Sequence, residues 1–251
     1  MNPKTKEDHF KRLDFIRTER NEGYAGGNNA GIRYVLEKGD GLFIWILNND
    51  TVIEKDALAA LVKYAARDAT VGMIGSKLLR YTNPKILQSA GGGRIYPGLG
   101  NTQLIAYNQE DNGRWDEPFE PDYICGASLF VKRTVINDIG LMDERYFLYW
   151  EDADWGMRAR RKGYKLLYCP ESRILHKEGG TTGGITPLAD YYWARNGLFL
   201  IKKFYPILLP FIPFSYFIKY TLVRTMKRQP HNIRSFLSGI LDFCRGITGE
   251  R

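Results

Sequence analysis

A run of six apolar residues, LFIWIL at 42–47, ends without transition on two amides and a carboxylate, Asn48, Asn49 and Asp50. So short a run, bounded by Gly41 and by polar residues, reads as a buried strand. Open α/β sheets place their ligand crevice at the carboxyl ends of such strands. Asp50 therefore stands where a carboxylate can hold a hard divalent cation, and Asn48 can add a neutral contact. An Asx turn closing the strand accounts for the same residues without any ligand.

Strand-like and helix-like segments alternate around this run. Phe15 and Ile16 read as a short strand, and NEGYAGGNNAG (21–31) as a loop opening into a helix through Leu36. Helical spacing over 53–67 puts Leu58, Leu61, Val62 and Ala65 on one face. Residues 71–75, 123–131 and 165–168 read as strands, and 135–139 and 151–162 as helices. The Gly- and Pro-rich stretch from the end of the 71–75 strand to Glu120 reads as one long loop, a feature that in a compact domain carries function or mobility. The alternation predicts an α/β fold with a largely parallel sheet flanked by helices.

Beyond residue 190 the chain changes character, which predicts a catalytic domain over 1–190 and a helical, basic and aromatic tail over 191–251. FYPILLPFIPFSYFIKYTLV is strongly apolar but is broken by Pro206, Pro210 and Pro213, too early for the roughly 20 residues of a spanning helix. The formal charge of +8 sits largely in this tail, where Asp242 and Glu250 are the only acids after Lys202. That pattern suits peripheral contact with an anionic membrane surface, on the inner face of the cytoplasmic membrane, better than a nucleic-acid groove. A helical lid on the catalytic domain is the alternative. Cys125, Cys169 and Cys244 are too few and too scattered for a disulfide framework, which places the chain in a reducing cytosol.

A second constellation, DERYFLYWEDADWGMRARRKGY, crowds Glu151, Asp152 and Asp154 at the start of a helix. Capping and the helix dipole account for one or two acids there, and Asp154 is spaced to pair with Arg158. A third acid beside Tyr146, Phe147, Tyr149 and Trp150 suits a walled site with an ionised general base. His176, following RIL, can supply an imidazole ligand, although a lone His is more often structural.

In order along the chain, NEGYAGGNNAG, WILNNDT, CGASLFVKR, the WEDADWGMR segment, ILHKEGG and YYWARN resemble the family-2 inverting glycosyltransferases, especially their rhamnosyl- and galactofuranosyltransferase branch. The resemblance implies the GT-A fold, a Rossmann-like sheet that binds a dTDP- or UDP-sugar with Mg2+ or Mn2+. It implies Asp50 and His176 as metal ligands, with Asn48 in the place of the first acid of the metal motif and Asn49 beside it. Asn21, Gly26, Gly27 and Asn29 would lie against the donor nucleotide. Asp152 would be the base, with Glu151 adjoining it, acting on a hydroxyl of a glycan or lipid-linked acceptor. The family's first two strands are expected upstream of Phe15, a shortfall of about 50 to 60 residues at roughly 30 per βα unit. An inactive, membrane-associated remnant is therefore the alternative expectation, and a nucleotidyltransferase a more distant one.

Overall fold

The computed structural model describes residues 13–39, 41–177, 186–212, 216, 220–222, 225–226 and 230–251. Its elements are α1 (Gly23–Lys38), β1 (Phe43–Leu47), β2 (Thr51–Ile53), α2 (Ala57–Arg67), β3 (Val71–Arg80), β4 (Asn83–Ala90), β5 (Gly92–Tyr96), β6 (Asn101–Leu104), β7 (Tyr123–Ile124), β8 (Ser128–Lys132), α3 (Arg133–Ile139), α4 (Glu151–Arg161), β9 (Lys165–His176), α5 (Pro187–Phe204) and, last, α6 (Pro230–Cys244).

The main sheet runs β1-β8-β3-β9-β2, with β4 paired to β3, and a small sheet runs β6-β5-β7. Strand faces alternate along the central strands. Met73, Val131 and Leu166 point to α1, α3 and α4, where they pack with Ala25, Ile32, Ile136 and Trp155. Ile74 and Phe130 point the other way, onto Leu61, Tyr64 and Ala65 of α2. A two-residue period with both faces covered is what buries all of β3 except its last residue. A third apolar cluster joins Trp150 and Ala153 to Leu198, Ile201 and Phe204 of α5 and Phe236 of α6, so α5, which begins at Pro187, straddles the expected boundary at residue 190.

Several expectations need correction. The sheet is mixed rather than mostly parallel: β3 and β9 are parallel, while β1–β8, β3–β8, β2–β9 and β3–β4 are antiparallel. The reason is that β8 enters between β1 and β3 from the small sheet and not through a helical crossover, and only a crossover restores parallel direction. Phe15 and Ile16 form no strand and lie exposed. The stretch read as a long loop holds β4, β5 and β6, strands separated by Gly91 and by the 97–100 turn, whose turn formers gave the whole stretch the look of a loop. Residues 51–53 are a strand, and the buried face of α2 is Ala57, Leu61, Tyr64 and Ala65, leaving Leu58 and Val62 exposed. The segment 123–131 breaks at Cys125 into β7 and β8. Parts of the apolar tail, including Pro213, lie outside the described residues.

Lys77, buried on β3, ties the hairpin region to the sheet, its ammonium 2.7 Å from Asp111 and 2.5 Å from Asp116. Arg173 of β9 holds the other oxygen of Asp111 at 2.9 Å. Where β5 meets β7, a Cβ at Gly92 would lie 1.8 Å from the carbonyl oxygen of Tyr123, so only glycine lets these strands touch. Gly92→Ala should therefore lower stability by about 1–3 kcal/mol, the usual cost of forcing atoms into a filled core. Urea denaturation followed by circular dichroism measures this.

Candidate active site

The strand-ending residues come together as a pair with His176. β1 stops at Leu47, the chain turns through Asn48 to Asp50, and β2 then pairs antiparallel with the end of β9, setting Thr51 opposite His176. That register brings Asp50 Oδ1 to 3.0 Å from His176 Nε2, with Asn48 Nδ2 3.3 Å from the same nitrogen. Gln88 of β4, buried, fixes the ring from behind, its Oε1 2.6 Å from Nδ1. With Nδ1–H donating to Gln88, Nε2 presents its lone pair to the Asp50 carboxylate. Two acceptors then converge on one point. Adjacent ligands of an octahedral cation at about 2.1 Å stand about 3 Å apart, so the pair has the spacing and the donor set of a half-built cation site. No third His, Cys, Asp or Glu joins it among the described residues, which leaves the remaining positions to ligand oxygens and water. Asn49 is exposed in the turn, away from this pair.

Asp152 begins α4 half-buried. Its Oδ2 accepts from the backbone N–H of Gly126 at 3.1 Å and its Oδ1 from that of Ala153 at 2.8 Å. Burial pushes its carboxyl up to about 6, against the pull of those backbone donors. Glu151, buried, is pushed well above the ordinary range by burial first and by the charge of Asp152 second, and its Oε2 has no hydrogen-bond partner. Two carboxyls side by side raise one another's cost of ionising, so the second charge at this pair is harder to form than the first.

The loop between β7 and β8 connects the two clusters. The amide of Asn48 donates to Ala127 O at 3.2 Å, the Tyr24 hydroxyl donates to Gly126 O at 2.6 Å, and the Gly126 amide holds Asp152. Gly126 and Ala127 therefore link the turn that carries Asn48 and Asp50 to the paired carboxyls.

Asp154 takes a different part. Fully buried, it pairs with Arg158 at 2.8 Å and Lys203 at 2.6 Å and accepts from the Tyr146 hydroxyl at 3.2 Å, which welds α4 to α5. The aromatic residues expected to wall a site pack against α5 instead. Phe147 stacks on Tyr192, and both Tyr149 and Trp150 meet Trp193. Phe147, Tyr149 and Trp150 carry φ of 62°, 66° and 77°, in a region that costs a bulky residue about 1–3 kcal/mol each.

The residues expected at the donor nucleotide divide. Helix α1 starts at Gly23, earlier than expected, because Asn21 Oδ1 accepts from the Gly23 amide and the Tyr24 amide reaches Phe147 O. Asn21 is exposed at this start, and Gly27 is exposed with open space at its Cβ position, whereas Gly26 is buried against Glu22. Asn29 departs from the expectation. Wholly buried, it donates to Met142 O and Glu144 Oε1 and accepts from the Met142 amide, so its polar atoms are spent inside the protein. Sequence reasoning did not single out Gln88, Tyr24 or Gly126, whose parts depend on pairing across the sheet. Asn196 lay in a quoted motif, YYWARN, without an assigned part.

Among solved structures, GalNAc-T7 with UDP, GalNAc and Mn2+ aligns with a TM-score of 0.52 at 18% identity, over 73% of this chain and 38% of that one, a likeness of fold. By sequence, a dTDP-rhamnosyl transferase from Shigella flexneri is 26% identical over 96% of this chain and 81% of its own length. An N-acetylglucosaminyl-diphospho-decaprenol L-rhamnosyltransferase from Mycobacterium tuberculosis is 28% identical over 72% of this chain and 64% of its own length. A galactofuranosyltransferase from the same species is 20% identical over 73% of this chain and 31% of its own length. The fold is thus the mixed α/β arrangement of GT-A glycosyltransferases. The family model described as glycosyltransferase like family 2 matches residues 6–186, and the chain belongs to that family as a glycosyltransferase.

Proposed function

We propose that this glycosyltransferase moves a rhamnose-like sugar, with a galactofuranose-like one as the runner-up, from a dTDP- or UDP-activated donor to a hydroxyl of a cell-surface polysaccharide or lipid-linked glycan, with inversion. The observation that carries the reading is that one short loop bonds both Asp152, through the Gly126 amide, and Asn48, the residue beside the Asp50–His176 pair, through Ala127 O. The sugar type and the nucleotide draw support from the dTDP-rhamnosyl transferase of Shigella, and the lipid-linked acceptor from the diphospho-decaprenol rhamnosyltransferase of Mycobacterium.

Asp152 takes the proton of the acceptor hydroxyl as that oxygen forms its bond to the anomeric carbon. The bond from that carbon to the diphosphate breaks, and the leaving diphosphate keeps the electron pair. A carboxyl pushed up to about 6 is mostly ionised at neutral pH and still more basic than an ordinary aspartate. Asp50 and His176, with the Asn48 amide beside them, would hold Mg2+ or Mn2+, which supplies positive charge against the departing diphosphate. Gln88 orients the imidazole. Glu151, raised by burial and by the charge of Asp152, resists becoming a second negative charge beside the base. The exposed start of α1, with Asn21 and Gly27, is offered to the donor. In the tail, Ile207, Phe211, Leu222 and Met226 are exposed apolar residues, which supports a peripheral membrane contact. No described helix is long and apolar enough to cross a membrane.

Three outcomes check this reading. Asp152→Asn should lower release of nucleoside diphosphate from dTDP-rhamnose by roughly 10²–10⁴-fold, and wild-type kcat should fall as pH drops through about 6. The folded carboxyl keeps its proton up to about 6 and the unfolded one only to 3.8, so ionisation costs stability above that window. The Asn variant should accordingly melt higher than wild type at pH 8, which separates lost chemistry from lost folding. Equal turnover in both proteins would remove Asp152 from its role. Second, electron paramagnetic resonance titration of Mn2+ with dTDP present should show binding weakened at least tenfold by His176→Ala. Third, the protein should co-sediment with vesicles containing phosphatidylglycerol and much less with pure phosphatidylcholine, and the binding should fall with salt as surface charge is screened.

A further inference from the structure

Asn196 lies at the middle of α5, wholly buried, and its amide donors are directed at one piece of backbone. Its Nδ2 donates to the carbonyls of Tyr146 at 2.6 Å, Leu148 at 2.7 Å and Tyr149 at 3.1 Å, while its Oδ1 accepts from Arg195 Nε at 3.0 Å. Arg195, also fully buried, adds Nη2 contacts to Tyr146 O at 3.3 Å and Arg145 O at 3.4 Å, with its guanidinium over the rings of Tyr191 and Tyr192. The backbone they grip is the run that reaches left-handed φ at Phe147, Tyr149 and Trp150 and delivers the first residues of α4.

Backbone carbonyls in a dry core must be satisfied. From Tyr146 to Trp150 each one is: Tyr146 O accepts from the Leu148 amide as well as from Asn196, Phe147 O from the Tyr24 amide and Trp150 O from the Asp154 amide, while Leu148 O and Tyr149 O accept from Asn196. A side chain without the amide donors would leave carbonyls stranded among aromatic rings, and the loop would turn them toward water. Trp150 would then leave its left-handed conformation, and the first turn of α4 would rotate with it. The hydrogen bonds of Asp152 to Gly126 and Ala153 depend on that turn.

We propose that Asn196 is a positioning residue for the reaction: by clamping the 146–150 backbone, it fixes the Asp152 carboxylate against the 125–127 loop. This deepens the proposed function and rests on the reading of Asp152 as the base. Arg195 supports the clamp by orienting the amide. The motif that contains both residues thereby gains a role for each, although neither touches the reacting atoms.

The test uses the full chain carrying Asn196→Ala or Asn196→Asp, the latter nearly isosteric but without donors. Both are compared with wild type and Asp152→Asn, with dTDP-rhamnose as the probe. The expected result is a kcat reduced at least 30-fold, a donor KM within about twofold of wild type, and a displaced pH midpoint for kcat. Amide hydrogen exchange over residues 146–153 and at Gly126 should quicken at least tenfold, while β3 and α2 keep their protection. Should the alanine variant not fold, Asn196→Ser, which keeps one donor, carries the same comparison. Unchanged exchange over 146–153 overturns the proposal, as does wild-type kcat with a wild-type pH profile alongside an inactive Asp152→Asn. If Asp152→Asn itself turns over normally, the base reading fails, and the exchange data alone then decide for or against the clamp.

Discussion

The three residues between β7 and β8 are the point on which the rest of the molecule depends. Cys125 to Ala127 break what would otherwise be a continuous strand, and their backbone groups become available to neighbours. The Cys125 amide turns back to Gly91 O, the Gly126 amide to Asp152, Gly126 O to Tyr24, and Ala127 O to Asn48. Few short segments can serve so many elements, because most strand residues spend both of their backbone groups on the ladder. Gly126 is needed for this crowding, since a Cβ there would meet the Tyr24 hydroxyl at 2.6 Å.

Much of this was legible in the sequence where local pattern and burial agree. The run at 42–47, the short helix near 135–139 and the acidic start at residue 151 were all readable, as was the i,i+4 pairing of Asp154 with Arg158. The proximity of Asp50 and His176 followed from the family resemblance, and the register of β2 against β9 supplies its physical cause. What escaped was non-local. The strands β5 and β6 have five and four residues, so period-two alternation has no length in which to appear, and β4 opens on the turn formers Asn83 and Pro84. Gln88 looks like any polar strand residue until the hairpin sets it behind the imidazole. Asn29 looks like a ligand-binding amide until the 142–144 segment arrives to take up its donors and its acceptor. The aromatic residues after Arg145 looked like walls of a cleft, because nothing in the sequence shows that α5 returns to cover them.

The buried charges fall into two kinds. Asp154 with Arg158 and Lys203, and Lys77 with Asp111 and Asp116, have partners that offset their desolvation, and they hold layers together. Glu151 and Asp152 have no cationic partner within hydrogen-bond reach, and they are raised by burial rather than neutralised by it. A fold that keeps two such groups side by side gives up stability at that point, and it does so only where a proton has somewhere to go.

Gly23 carries the last consequence. At φ +69° it lets the first turn of α1 sit on Phe147, where any Cβ would fall 2.2 Å from the carbonyl oxygen, and the neighbouring Tyr24 amide bonds that same oxygen at 2.7 Å. No slack exists at this joint. Whatever tugs on the entrance of the helix is felt within one peptide unit by the backbone leading to Asp152. Coupling between two sites is reciprocal, so a ligand that shifted this entrance and a proton on that carboxyl would each be felt by the other.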